Sequence, residues 1–160
     1  MVKIIRSERA GKDGKLAVGC SAAVFDETNE RILLIRRADN GKWAVPGGYM
    51  EAGENFAEAC TREVYEETGL QVEVKRLIGA YTNPHLLLEY PDGNRWQLVV
   101  LHFEARRLDG KLNPSNESLE LNFYTPAEIE NLEMGILDRF RVADSFANQV
   151  GAFVRNEFGL

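Results

Sequence analysis

Residues 48–70 read GYMEAGENFAEACTREVYEETGL, and the run Glu63-Val64-Tyr65-Glu66-Glu67 near its end carries the reading of the fold. Glu63, Glu66 and Glu67 stand at i, i+3 and i+4, which on a helix places three carboxylates on one face. Like charges at this spacing repel. Gly69 marks a helix end, so the cluster also faces the negative pole of the helix dipole. Taking Phe56 as origin and advancing about 100° per residue, Cys60 falls near +40°, Glu63 near −20° and Glu67 near +20°. Two acids thus continue the apolar stripe, Glu66 lies at its margin, and Glu58, Thr61, Arg62 and Tyr65 form the wet side. An ordinary surface helix puts its acids opposite the stripe. Charges on the stripe are costly to bury unless something compensates them. A divalent cation would.

The chain has 160 residues, enough for one domain with one core. Its 44% hydrophobic and 28% charged content is that of a globular protein. A formal net charge of −6 argues against broad nucleic-acid binding. It still permits a small phosphorylated ligand, because a bound cation inverts the local potential. Cys20 and Cys60 lack metal-like spacing and read as small buried hydrophobes in a reducing compartment. The first residues contain no apolar signal core, and no apolar run reaches membrane-spanning length. The expected location is the cytoplasm, with no membrane partner.

Working outward from the helix at 55–68, capped by Glu54 or Asn55, the pattern predicts strands at 16–25, 31–36, 43–45, 72–81, 86–90, 96–106 and 119–124. Pro91-Asp92-Gly93-Asn94 is a hairpin turn. A short helix is expected at 126–132, with Thr125 as cap and Pro126 at its first position. Ile136, Phe140, Ala143, Ala147, Val150 and Val154 recur at helical spacing and predict a terminal amphipathic helix over 136–158. Its stripe would serve either the core or a homodimer interface. Residues 1–15, polar and glycine-bearing from Ser7 onward, read as a flexible lead-in. With no linker or repeat, 1–160 reads as a single mixed α/β domain with helices on both sides of a sheet.

The stretch from Gly48 to Leu70 resembles the Nudix box, G-x5-E-x7-R-E-U-x-E-E-x-G-U with U aliphatic. The matching positions are nine: Gly48, Glu54, Arg62, Glu63, Val64, Glu66, Glu67, Gly69 and Leu70. The approach, Leu33-Leu34-Ile35-Arg36-Arg37 and then Trp43-Ala44-Val45-Pro46-Gly47-Gly48, agrees as well, and the resemblance covers about residues 16–135. It implies the Nudix fold, an α/β/α sandwich with a mixed β-sheet. It also implies hydrolysis of the diphosphate bond in a nucleoside diphosphate linked to another moiety. The implied cofactor is Mg2+, with Mn2+ as the alternative. Glu63, Glu66 and Glu67 would be metal ligands and Glu63 also the general base; a backbone carbonyl at Gly48 would complete the shell. Magnesium favours such hard oxygen donors and keeps several waters. Arg62 would orient Glu54 or a catalytic glutamate. Glu117 and Glu120, ahead of the last strand, are candidates for a further acid outside the box, Glu120 being the preferred metal contact.

Substrate contacts are read from position. Arg36 and Arg37 end a strand beside the box and could reach phosphate, a solvated strand end being the other reading. Trp43 could stack on a base or serve the core. Tyr81, His85, Tyr90 and Trp96 surround the hairpin region, where a base or sugar could bind. The NADH-pyrophosphatase pattern S-Q-P-W-P-F-P is absent. Pro84 is one residue short of the offset typical of ADP-ribose pyrophosphatases, and Tyr90 is too distant for the diadenosine-polyphosphate marker. The reading leans to an ADP-ribose or nucleotide-sugar type of substrate, with a nucleoside triphosphate close behind. Two alternatives are a non-catalytic Nudix-fold nucleotide sensor, which usually loses box residues, and an RNA 5′-end pyrophosphohydrolase, which needs a basic path for nucleic acid.

Overall fold

The computed structural model describes residues 2–158. In chain order, β1 (Lys3–Arg6), a 3-10 turn (Ala10–Asp13), β2 (Lys15–Val24), β3 (Ile32–Arg37), β4 (Trp43–Ala44) and β5 (Gly47–Tyr49) precede helix α1 (Phe56–Thr68). Strands β6 (Leu70–Thr82), β7 (Leu86–Glu89), β8 (Arg95–Gly110) and β9 (Ser118–Tyr124) follow, then α2 (Pro126–Ile129), α3 (Ile136–Phe146) and β10 (Phe153–Arg155).

The 16-residue strand β8 organises the larger sheet. Along one edge it takes β2 in parallel, from Lys15↔Trp96 to Val24↔Ala105. Its other edge forks: β7 pairs with Arg95 and Trp96, and β6 pairs antiparallel from Val99 to Gly110. The branches are extended by β1 on β7 and β10 on β6, while β5 lies antiparallel on the far edge of β2. A second sheet has the order β4-β3-β9.

Side-chain alternation along the strands divides the core in two. Cys20, Ala22, Val24 and Leu33 face α1, with its Ala59, Cys60 and Val64. Ala23, Ile32 and Leu34 face the opposite way, onto Ile129 of α2 and Val142 of α3. Strand β3 therefore reads as an unbroken apolar run because both its faces are covered. The result is the expected α/β/α sandwich with a mixed sheet. No helix among the described residues is long and apolar enough to cross a membrane.

Two expectations are corrected. The lead-in at 1–15 contains β1 and the 3-10 turn, whose Ala10 and Gly11 are buried. The amphipathic helix expected over 136–158 stops at Phe146. Asn148 takes a left-handed φ of 53°, a conformation that asparagine tolerates and a helix does not. Val150 is 98% exposed, and β10 follows. The inward face of α3 is also not the apolar one anticipated, since Ile136 and Ala143 are exposed while Asp144 and Ser145 are buried. Apolar periodicity misleads where polar side chains are buried in partnership.

Those partnerships are specific. Tyr81 Oη donates to Asp144 Oδ2 at 2.8 Å, and Arg155 grips the same carboxylate through Nε at 2.8 Å and Nη2 at 2.5 Å. His102, fully buried on β8, lies 2.8 Å from Ser21 Oγ through Nδ1 and 2.9 Å from Ser145 Oγ through Nε2. Ser145 Oγ donates to the Arg141 carbonyl at 2.6 Å, so it accepts from Nε2–H and leaves Nδ1 to accept from Ser21. Burial holds the imidazole pKa well below its usual value, and the ring is neutral.

Candidate active site

Helix α1 is fixed at both ends. Asn55 accepts from the Glu58 amide at 2.9 Å and Glu58 accepts from the Asn55 amide at 2.8 Å, a reciprocal cap. Gly69 ends the helix at φ 75°, a conformation suited to glycine. The three carboxylates take the positions the helical wheel assigns. Glu67 is 6% exposed, the Glu63 side chain 14%, and that of Glu66 57%. Phe56, the origin of the stripe, is half-exposed in the first turn instead of joining the core.

Strand β5 lies directly against these acids. Glu67 Oε2 accepts from the Gly47 amide at 2.8 Å. A Cβ at position 48 would fall 2.4 Å from Glu63 Oε2, so Gly48 leaves the space that the carboxylate fills. A Cβ at position 47 would fall 2.4 Å from the Cys20 carbonyl oxygen, which belongs to the neighbouring strand and cannot yield.

Arg62, expected on the wet side, is a half-buried hub. Its Nε and Nη2 donate to the two oxygens of Glu54 at 2.6 and 3.0 Å. Nη1 donates to Glu63 Oε1 at 2.8 Å and to Glu66 Oε2 at 3.4 Å. Nη2 also reaches the Tyr49 carbonyl at 3.0 Å, tying β5 to α1. The hub holds the Glu54 carboxyl down at about 2. Burial acts the other way on its neighbours: it raises Glu63 against the pull of Arg62, and it pushes Glu67 up to about 7 against the Gly47 amide.

These groups have the donor chemistry that a divalent cation takes. Glu63 and Glu67 are carboxylates withdrawn from water whose negative charge is incompletely compensated, and Glu66 supplies a third, exposed oxygen donor on the same helix. Among the described residues no group of three or more acidic, histidine or cysteine side chains is arranged to hold a metal ion in this conformation. An open, all-oxygen donor set suits a hard cation that retains water and takes further ligands from phosphate.

The remaining candidates separate. Glu117 is near enough that its charge helps raise both Glu63 and Glu67. Glu120 does not join the cluster: it pairs with Arg36 across β3 and β9 at 3.7 Å. Arg36 is further committed to the Gly41 carbonyl. Arg37 forks onto Asp39 at 2.9 and 2.8 Å, and its charge is felt by Glu67. Trp43 is buried edge-to-face against Tyr124, with a margin on a cavity. Tyr81 is corrected from ligand contact to core residue: it is fully buried and its hydroxyl is spent on Asp144. His85 is a tether, accepting the Arg9 amide at 3.1 Å.

A cavity of about 400 Å3 opens on the α3 face of the sheet. Gly47, Gly48 and Tyr49, the strand that lies against the glutamates, form one side of it. Arg37, Trp43, Tyr90 and Trp96 line it; Tyr81 does not. Tyr49, which the sequence did not single out, meets Tyr90 hydroxyl to hydroxyl at 2.6 Å. No periodicity marks it; its place next to Gly48 is the only clue.

Comparison with known proteins gives the chain its relatives. The sequence pattern described as NUDIX domain matches residues 15–146. A MutT-like protein of Streptomyces ambofaciens is 35% identical over 138 residues, 86% of this chain and 82% of that protein. An ADP-ribose pyrophosphatase of Methanocaldococcus jannaschii is 32% identical over 123 residues, 75% of this chain and 68% of that one. The crystal structure of a NUDIX hydrolase from Nitrosomonas europaea superposes with a TM-score of 0.68 at 25% identity, covering 89% of this chain and 80% of that one.

Proposed function

The chain belongs to the Nudix family and is a pyrophosphohydrolase, and from that premise we propose that it cleaves the diphosphate bond of a nucleoside diphosphate joined to a second group, with Mg2+ held by Glu63, Glu66 and Glu67. The observation that carries this reading is the Glu63 carboxylate: withdrawn from water, packed in the space Gly48 leaves, and held by Arg62.

When bound there, the cation would lower the pKa of a coordinated water and offset charge on the phosphates. The chain's own residues do the rest. Glu63 accepts a proton from the attacking water as its oxygen bonds to phosphorus. The bridging P–O bond breaks, its electron pair stays on the leaving phosphate oxygen, and two phosphate monoesters result. Arg62 fixes the rotamer of Glu63 and holds β5 through the Tyr49 carbonyl. Glu67 anchors the glycine turn. Glu117 is the acid outside the box best placed to assist, because its charge acts on both Glu63 and Glu67. Arg37, beside Gly47 and Gly48 in the cavity lining, is the leading phosphate contact.

An ADP-ribose or nucleotide-sugar substrate is favoured over a triphosphate. A relative aligned over 75% of the chain is an ADP-ribose pyrophosphatase, and the cavity has room for a group beyond the diphosphate. The test is product release from a panel of nucleoside diphosphate derivatives and triphosphates, with Mg2+ and with EDTA. Metal-dependent turnover is expected. Absence of turnover across the panel, or a Glu63→Gln variant as fast as the parent, would reject the reading.

A further inference from the structure

The family match spans residues 15–146, yet the cavity beside Gly47 and Gly48 is also lined by residues on either side of that span, Ile4 and Arg6 before it and Phe158 after it. We propose that Phe158 is a specificity-determining residue, the end wall that limits the size of the substrate group the cavity admits. This inference rests on the diphosphate-hydrolase reading above.

The ring is built in. Phe158 is 6% exposed and packs against Tyr81 and Val100, with Leu86, Leu98 and Leu137 around it. Its carbonyl accepts from Asn83 Nδ2 at 2.6 Å, so the backbone carrying the ring is pinned to the loop that joins β6 to β7. Three residues earlier, Arg155 forks onto the buried Asp144 carboxylate, and its guanidinium lies 5.0 Å from the Phe140 ring centre and 5.1 Å from that of Phe153. A planar fork on a carboxylate fixes direction as well as distance. Moving the backbone that carries the ring would break the Asn83 bond. Phe158 is therefore a wall and not a loose tail.

The wall also has a chemistry. Phe158, Leu98, Val100 and Leu137 are apolar, and several polar groups of the lining pair with one another, Arg37 with Asp39, Arg141 Nη2 with Asp138 and Tyr49 with Tyr90, while the buried Arg141 Nε has no partner among the described residues. A group that reaches the wall is recognised by shape and apolar contact. The fitting substrate carries a compact planar or apolar group on that arm, with its charge concentrated at the diphosphate.

The test uses methylene-bridged diphosphate analogues, whose binding is read by calorimetry independently of turnover. One series enlarges the base at constant second group; the other enlarges the second group at constant base. Phe158→Ala should raise affinity for the largest member relative to the smallest by roughly tenfold in one series, and Phe158→Trp should lower it. A ratio unchanged within about twofold in both series, in a variant melting close to the parent, would overturn the proposal, as would failure of every analogue to bind the parent protein. If Phe158→Ala does not fold, Phe158→Leu is read in the same way. Binding without turnover of the hydrolysable counterparts would reject the activity while leaving the wall standing.

Discussion

The Glu67 carboxylate accepts the Gly47 amide hydrogen at 2.8 Å, joining the most buried acid of α1 to the glycine turn of β5. Burial nonetheless pushes Glu67 from 4.5 up to about 7. The folded chain thus holds this proton more tightly than the unfolded chain does. The stabilisation is complete below about pH 4.5 and is lost as pH rises through about 7. In metal-free protein, Tm should fall between about pH 5 and pH 8 more steeply for the parent than for Glu67→Gln. The glutamine keeps an acceptor for Gly47 but cannot ionise. Parallel Tm–pH curves would contradict the assignment.

Adjacent glycines should respond differently to one methyl group. Gly48→Ala drives a Cβ into the Glu63 carboxylate, the far end of a flexible side chain that can move. The protein should fold, with kcat reduced by about 100-fold through displacement of Glu63. Gly47→Ala meets the backbone carbonyl of Cys20. Circular dichroism should register a loss of stability there that Gly48→Ala does not show.

Arg62→Lys retains the charge but loses the fork that serves Glu54, Glu63, Glu66 and the Tyr49 carbonyl together. Metal titration and steady-state kinetics should show a loss of roughly 10–100-fold in cation affinity or activity. Thermal stability should also fall, since Glu54 and Glu63 are largely withdrawn from solvent and lose part of their donors. Unaltered kinetics would demote Arg62 to a surface ion pair.

Asp144 is buried and depends on Arg155 for its counter-charge. Arg155→Met should cost about 3–5 kcal/mol in denaturant unfolding, because it strands a buried carboxylate. The double variant Asp144→Asn, Arg155→Met should recover a large part of that loss. If the single and double variants are equally destabilised, packing rather than charge governs the clamp.

What the sequence makes legible follows from which residues interact locally. Helix α1 announces itself through Asn55, the Phe56–Cys60–Val64 spacing and Gly69, all within one segment. The inward turn of Glu63 and Glu67 follows from the same periodicity. Strand β1 is hidden because it is an exposed edge whose only strand partner among the described residues, β7, lies some eighty residues away. The end of α3 is hidden because Val150 and Val154 keep helical spacing by coincidence while Asp144 and Ser145, polar in sequence, are the residues buried. Tyr81 and Glu120 are misread for one reason: which way a side chain faces on a strand depends on a register set by distant partners. Arg62 is misread in direction only, since the wheel puts it outside and cannot show β5 closing over it.

Asn83, Pro84 and His85 occupy the crotch where β6 and β7 part along β8, and they hold both ends of the described chain. Ser7 donates to the His85 carbonyl, Arg9 to His85 Nδ1 and Gly11 to the Pro84 carbonyl, while Asn83 holds Phe158 and His85 lies 3.6 Å from Glu157. The two tails therefore share one three-residue anchor, and a change in the course of the backbone there disturbs the attachment of both at once.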